Sequence, residues 1–256
     1  MKALITGATS GIGMSIAKNL RKRGWELILT GRNEKILKHM QKNLGGTEII
    51  TADLSVKSDV FRVYDFCKNK NIDMLVNNAG YGLFGRFDET DLDDEINMIN
   101  VNITAVHILM KLFLRGFRRK NQGIILNVAS SAGFLTGPLM SSYYASKNYV
   151  VRLSIAAAEE LRREKSDVKI TVLCPGPVST NFNRRAGVTF SVKPITAEYA
   201  ADYAVRKALA GKLIAVPELT MRTGIFLSRF VPHRILAMLV YGIQQRKESD
   251  ENTGKI

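Results

Sequence analysis

Short apolar runs alternate along this chain with stretches whose apolar residues recur every three or four positions, and the two periodicities predict strands and helices in turn. Ala3 to Thr6 is apolar; glycines follow at Gly7, Gly11 and Gly13, then the helical pattern MSIAKNLRKRG, which stops at Gly24. WELILT (Trp25 to Thr30) reads as a second strand, NEKILKHMQKNLGG as a helix, TEIITADLS as a β-rich run and SVKSDVFRVYDFCKNK as another helix. A strand over Ile72 to Val76 ends in Asn77-Asn78-Ala79-Gly80. Thr90 to Lys120 predicts one long apolar helix, interrupted near Asn100 to Asn102, where residues of poor helix propensity cluster. GIILNVASSAG is a fifth strand, YYASKNYVVRLSIAAAEELRRE a helix opened by Tyr143, and VKITVLCPGPVST a further strand. ITAEYAADYAVRKALAG and KLIAVP complete the series as an amphipathic helix and a last strand.

Strand-helix alternation of this kind predicts an α/β fold: a doubly wound parallel sheet with helices on both faces. No linker, charge run or internal repeat divides the 256 residues, so a single domain is expected. Its dinucleotide-binding and catalytic part spans 1–217, and 218–256 is an apolar extension packed on the same domain. Asn181 to Pro194 lacks periodicity and is expected to be a loop covering substrate. Ile225 to Ile243 is conspicuously apolar, but Arg229, Pro232, His233 and Arg234 break it, which excludes a spanning helix there and leaves an amphipathic or interfacial one. The polar residues from about Lys247 are expected to be disordered.

Composition changes this picture little. Two cysteines, Cys67 and Cys174, are too few for a disulfide framework; they read as core thiols of a protein in a reducing, cytoplasmic compartment. The apolar run after Lys2 breaks at Gly7 and is no signal peptide. The balance of 37 basic and 23 acidic residues gives a net charge of +14. Its excess falls on helix faces such as LRKRG, LRGFRRK and LRREK, where it attracts anions generally rather than marking a nucleic-acid site.

The candidate chemistry lies in two stretches. Ser130, Tyr143 and Lys147 supply a hydroxyl, a phenol and an ammonium, and the last two, four residues apart on a helix, share a face. A free tyrosine titrates near ~10, and a neighbouring cation favours the phenolate and lowers that value, which makes Tyr143 a candidate general acid/base. The strand, glycine turn and helix at the N-terminus form the architecture of a dinucleotide site, where glycines admit the pyrophosphate and helix amides face it. The second strand ends in Gly31-Arg32-Asn33, with no carboxylate between Leu27 and Asn33; Arg32 suits a ribose 2′-phosphate, so NADP(H) is the expected cofactor.

Together these motifs resemble the short-chain dehydrogenase/reductase family and a Rossmann-type fold. TGATSGIG matches the family's T-G-x-x-x-G-x-G, which implies cofactor contacts from Gly7, Thr9, Ser10, Gly11, Ile12 and Gly13. Tyr143-Tyr144-Ala145-Ser146-Lys147 matches its Tyr-x-x-x-Lys, with Ser130 rather than Ser131 at the usual separation. Asp53 and Leu54 resemble the pair that flanks the adenine, although Asp53 also reads as an N-cap of the following helix. Asn77-Asn78-Ala79-Gly80 matches the family's NNAG, implying a brace for the sheet centre and cofactor contacts from Asn77, Asn78, Ala79 and Gly80. Asn102-Ile103-Thr104-Ala105 matches the sequence in which an asparagine kinks the helix and relays protons to the lysine, so Asn102 is preferred to Asn100. His107 reads as a satisfied core histidine. Pro175-Gly176-Pro177-Val178-Ser179-Thr180 resembles P-G-x-V-x-T, implying nicotinamide contacts from Pro175, Gly176, Val178 and Thr180.

The resemblance implies an enzyme that moves hydride reversibly between NADP(H) and a carbonyl or secondary alcohol. Its catalytic set is Asn102, Ser130, Tyr143 and Lys147; Tyr143 and Lys147 also touch the cofactor, and no metal is used. Phe134, Leu135, Leu139, Met140, Phe182, Phe190 and Phe226 favour a hydrophobic substrate such as a steroid or acyl ketone. The resemblance also implies a homodimer or homotetramer built on the helices at 90–120 and 143–165. The apolar residues after Pro217 could close the pocket, form a subunit interface or rest on a membrane surface. The alternative is an NADPH-binding regulatory or membrane-associated protein with little catalysis.

Overall fold

Along each central strand, alternate side chains leave the sheet in opposite directions, and here both directions are buried. Ala3 and Ile5, Leu27 and Leu29, Met74 and Val76, and Leu126 join one apolar layer, whereas Leu4, Ile28, Leu75 and Ile125 join the layer opposite. That double burial requires helices on both faces. A computed structural model of the chain, which describes residues 1–180, 182 and 194–253, shows this arrangement.

Seven parallel strands stand in the order β3-β2-β1-β4-β5-β6-β9. These are β1 (Lys2–Thr6), β2 (Glu26–Gly31), β3 (Thr47–Thr51), β4 (Met74–Asn77), β5 (Ile124–Val128), β6 (Lys169–Leu173) and β9 (Ile214–Ala215). A separate parallel pair joins β7 (Val178–Ser179) to β8 (Ile195–Thr196). On one face lie α1 (Gly11–Lys22), α2 (Glu34–Asn43) and α7 (Ala197–Leu209), whose Ile16, Leu20, Leu37, Ala201 and Val205 fill the first layer. On the other lie α3 (Lys57–Cys67), α5 (Val106–Lys120) and α6 (Ser141–Arg163), which contribute Val63, Leu109, Phe113, Phe117 and Leu161. The sheet is wound outward from β1 and β4, so the crevice between their carboxyl ends is the place where ligands bind in such sheets.

The apolar run from Thr90 to Lys120 resolves into α4 (Leu92–Ile99), a π-helical turn over Asn100–Ala105, and α5. By length and composition alone Leu92–Lys120 would cross a membrane. Its buried residues Met98, Ala105, Leu109, Met110, Phe113 and Phe117 instead pack in the core. The helix at Tyr143 begins two residues earlier, at Ser141.

The C-terminal run differs from expectation in two respects. It is not one helix: α8 (Leu219–Ser228) stops before Pro232, whose ring and missing N–H cannot continue a helix, and α9 (His233–Thr253) restarts after it. Where disorder was expected from Lys247, α9 runs on to Thr253, and residues 254–256 lie outside the described residues. Propagating an anchored helix costs little once its first turns are docked, and Leu236, Val240 and Gln244, spaced by four, form the inward side. Buried Ile225 joins α8 to the cluster of Val150, Val151, Cys174 and Val216, so the extension packs on the domain. The loop expected over Asn181 to Pro194 lies, except for Phe182 and Pro194, outside the described residues, as does Phe190.

Candidate active site

A cavity of about 530 Å³ opens at the carboxyl ends of the strands. One end is the turn between β1 and α1. Gly7 takes a φ of +62°, a left-handed conformation that costs glycine least. The N-cap of α1, Ser10, makes no side-chain cap bond and no acid occupies the first turn, so the helix offers unsatisfied N–H groups and a positive end to the cavity. Gly7, Thr9, Ser10, Gly11 and Ile12 all line it.

Gly13, expected beside them, does not. A β-carbon there would stand 2.3 Å from Asn78 Nδ2 and 2.4 Å from Gly7 O, so this glycine lets the helix close against the turn rather than meeting a ligand. Asn78 explains the crowding: its side chain donates to Thr6 O (2.9 Å) and Gly7 O (3.1 Å). The Asn78 and Ala79 amides donate to Thr6 Oγ1 at 2.9 and 3.0 Å. The NNAG segment thus pins the β4 loop to the β1 loop, with Asn78, Ala79 and Gly80 on the cavity wall. Asn77 is not on that wall; its amide donates to Asn127 Oδ1 (2.9 Å), and Asn127 donates to Ser154 Oγ (2.9 Å), a polar brace under the site.

At the adenine end implied by the resemblance, Arg32, Asp53 and Leu54 line the cavity with Asn33, Ile36 and Ala52. Arg32 lies 3.8 Å from Asp53, with 58% of its side chain exposed; at that separation and exposure the pairing is weak. Asp53 is not the N-cap of α3, which is Val56; its carboxylate accepts from Ser55 N (3.0 Å) and Ser55 Oγ (2.8 Å). Opposite, Pro175, Gly176, Val178 and Thr180 form the wall after β6. A β-carbon on Gly11 would lie 3.0 Å from Thr180 Cγ2, a measure of how closely the two loops approach. The Gly176 amide donates to Glu218 Oε1 (3.1 Å), which ties this wall to the start of α8.

Ser130, Tyr143 and Lys147 meet in the middle of the cavity. β5 carries Ser130 to the carboxyl edge of the sheet, where its Oγ accepts from Ala132 N (3.2 Å) as the cap of a 3₁₀ turn (Ser131–Phe134) and shares the cavity wall with Tyr143. Lys147 is buried, donates to Val128 O (3.1 Å), and places Nζ 5.8 Å from the Tyr143 ring centroid. The electrostatics correct one expectation. Burial pushes the Tyr143 phenol above its ordinary value, the Ser130 hydroxyl opposes this, and no lowering by Lys147 is found. Burial also pulls Lys147 down to about 8, with Cys174 opposing. Removal from water penalises both charged forms and outweighs attraction across that distance.

Asn102 lies behind the wall. It donates to Tyr81 O (2.9 Å) and Ser146 Oγ (3.0 Å) and accepts from the Tyr81 amide (3.1 Å). The π turn that carries it aims this buried side chain across to α6. Asn100 has a weaker partner, Thr104 at 3.5 Å. His107 is not a core residue: it is half-buried and pairs with the Tyr149 hydroxyl at 2.7 Å. Cys67 and Cys174 are buried free thiols, each pushed up to about 12 by burial. Among the described residues no group of three His, Cys, Asp or Glu side chains could hold a metal.

Several lining residues were not singled out from sequence, among them Gly31, Tyr81, Val101 and Tyr144. Tyr143 sits in an apolar cluster with Met98, Ala132 and Met140, against which Tyr81, Leu83, Phe84, Tyr144 and Phe182 pack; its ring is 5.4 Å from that of Phe182.

A parallel sheet with a glycine turn at a helix N-terminus, opening on a Ser-Tyr-Lys group, is a nucleotide-dependent oxidoreductase fold. The short chain dehydrogenase family model matches residues 1–189, and the chain belongs to that family. It is 31% identical over 224 residues to an uncharacterized oxidoreductase of Staphylococcus epidermidis, covering 86% of this chain and 96% of that protein. A short-chain dehydrogenase from Sphingobium yanoikuyae, solved in complex with NADPH, superposes with a TM-score of 0.81 at 27% identity, covering 89% of this chain and 92% of that one. A Burkholderia phymatum short chain dehydrogenase/reductase, solved with NAD, gives 0.80 at 24% identity over 88% and 92%. The protein is an oxidoreductase dependent on a nicotinamide cofactor.

Proposed function

We propose that the protein is an NADP(H)-preferring reductase that acts reversibly on a hydrophobic ketone or the corresponding secondary alcohol. The observation that carries the chemistry is the buried Tyr143 hydroxyl beside half-buried Ser130, both on the cavity wall and facing an apolar cluster. The cofactor fits by the open N–H groups at α1 and the glycine cradle, and it supplies or accepts hydride when bound. Gly7 to Ile12 would hold the pyrophosphate, Asp53 and Leu54 the adenine, and Ala79, Gly80 and Pro175 to Thr180 the nicotinamide side. Arg32 supports the preference for NADP(H), since it reaches the cavity, pairs only weakly and has no carboxylate on its own strand end.

In the reducing direction Ser130 and Tyr143 hold the carbonyl oxygen, and Tyr143 gives it a proton. The raised value of the phenol keeps that proton in place until charge develops on the oxygen. Lys147 then stabilises the phenolate left behind, and Asn102, which holds Tyr81 and Ser146 beside it, lies on the route by which the proton is restored. Met140 and Phe182 on the cavity wall support an apolar substrate, such as a steroid or acyl ketone, whereas Leu139 and Phe226, expected beside them, do not line that cavity, and Phe134 and Leu135 line a second cleft instead.

Reduced-cofactor absorbance with NADPH and with NADH, across carbonyls from small aldehydes to steroidal ketones, tests this reading for wild type and Tyr143→Phe. Consumption of NADPH but not NADH, a best rate on an apolar ketone, and a loss of about 10² to 10⁴ in the variant are expected. Near-normal turnover in Tyr143→Phe removes the acid role; equal use of NADH removes Arg32 as the selector. The proposed reaction is cytoplasmic and the enzyme a homodimer or homotetramer through the outer faces of α4, α5 and α6, where Leu92, Ile96 and Tyr149 are exposed. Light scattering coupled to gel filtration reads that state.

A further inference from the structure

Nine of the eighteen exposed large hydrophobic side chains among the described residues are concentrated in the two C-terminal helices and the turn between them. On α8 and the turn after it, Leu219 (74%), Phe226, Leu227 and Phe230 (73%) face outward; on α9, Ile235, Met238 (69%), Leu239, Tyr241 and Ile243 do so. Ile235, Met238, Leu239 and Gly242 follow the three-and-four spacing of one helix face, while Leu236, Val240 and Gln244 turn toward the body. A contiguous apolar surface of this kind marks a contact site.

The charge around it identifies the partner. Between Leu219 and Gln245 there is no acidic residue, but there are Arg222, Arg229, His233 and Arg234. Arg222 is engaged with Val216 O and the Tyr203 hydroxyl. Arg229 and Arg234 are exposed, and no carboxylate among the described residues pairs with either. Beneath the helices, a second cleft runs between the segment Phe134–Pro138, α6 and the α8–α9 turn. Arg152, Arg229 and His233 line it beside Phe134, Ile225 and Leu236, and none of its lining residues is acidic.

We propose that α8 and α9 dock this protein on an anionic lipid bilayer. The aromatic and aliphatic side chains enter the headgroup boundary, and the unpaired arginines and the cationic cleft receive lipid phosphates. Cations ringing an apolar helix face are the arrangement of an interfacial helix, and the net charge of +14 adds a general attraction. A second copy of the chain would bring the same unpaired cations against themselves, which disfavours a self-complementary contact. Docking would also bring the site to the lipid: Glu218 at the head of α8 holds Gly176, and Gln244 on α9 donates to the Tyr144 hydroxyl, both at the cavity wall. The docking itself does not depend on the carbonyl chemistry.

Flotation of the full chain with vesicles of phosphatidylglycerol and phosphatidylcholine, against phosphatidylcholine alone, is the test. Wild type is expected to float with the anionic vesicles and weakly with the neutral ones, less so as salt is raised. Neutralising both cations in Arg229→Gln/Arg234→Gln should weaken partitioning on the order of 30-fold. Phe230→Ser/Met238→Ser should weaken it while leaving the circular dichroism and melting transition unchanged. Absence of wild-type flotation on anionic vesicles overturns the proposal. So does a loss of dimer, without loss of flotation, in Phe230→Ser/Met238→Ser, which would give the face to a second copy.

Discussion

Replacing Lys147 by methionine should stabilise the protein at neutral pH while abolishing its turnover. The lysine is 5% exposed, and burial lowers its pKa from 10.5 to about 8. Below pH 8 it is charged both folded and unfolded, and the folded protein bears the cost of holding the cation away from water, on the order of 3 kcal/mol for that difference. Between pH 8 and 10.5 the unfolded chain binds the proton and the native protein does not, so stability attributable to this group rises with pH and the cost disappears. Methionine keeps the length and removes the charge, but it also removes the donor to Val128 O, a loss of about 1 to 2 kcal/mol. The expected balance is a gain of ~1 to 2 kcal/mol at pH 7 that falls to zero or reverses by pH 10. Urea unfolding read from Trp25, the single tryptophan and 2% exposed, measures it at both pH values. Cys67 and Cys174, both pushed up to about 12, lower stability above pH 9 in wild type and variant alike and so cancel in the difference. A wild-type-to-variant difference unchanged between pH 7 and pH 10 would refute the reasoning. A gain with lost activity would show that this site carries a stability cost for function.

Gly13→Ala should destabilise by about 2 kcal/mol or more, because overpacking against Gly7 O and the Asn78 amide exceeds the ~1 kcal/mol gained in helix propensity. Its melting temperature should drop by roughly 4 to 8 °C, and an unchanged value would mean that the α1 turn can shift. Arg32→Ala should raise KM for NADPH about 10-fold or more with little change for NADH, consistent with loss of a phosphate ion pair and read from initial rates with each cofactor. Tyr144→Phe removes the hydrogen bond that the Gln244 amide donates to the Tyr144 hydroxyl, at a cost of about 0.5 to 1.5 kcal/mol. Faster hydrogen exchange confined to α9 is the expected sign.

Much of the fold and the list of candidate site residues was legible in the sequence, because both rest on local signals. The alternation of short apolar runs with amphipathic stretches, the glycine turn and the Tyr143-Lys147 spacing each act within a few residues, and period alone says what they become. Three long-range questions were not legible. Gly13 reads as a ligand contact in the motif, yet its neighbours are Asn78 and Gly7, which only sheet pairing across β1 and β4 brings there. The lysine four residues from Tyr143 was expected to lower the phenol's pKa, but the packing of Met98, Met140 and Phe182 around the ring decides that burial dominates. Periodicity likewise marked the C-terminal run as apolar and interrupted. Which of its residues face the body and which face out depends on where α8 and α9 come to rest against α6, and that is set by packing between elements far apart in the chain, a contact no local pattern encodes.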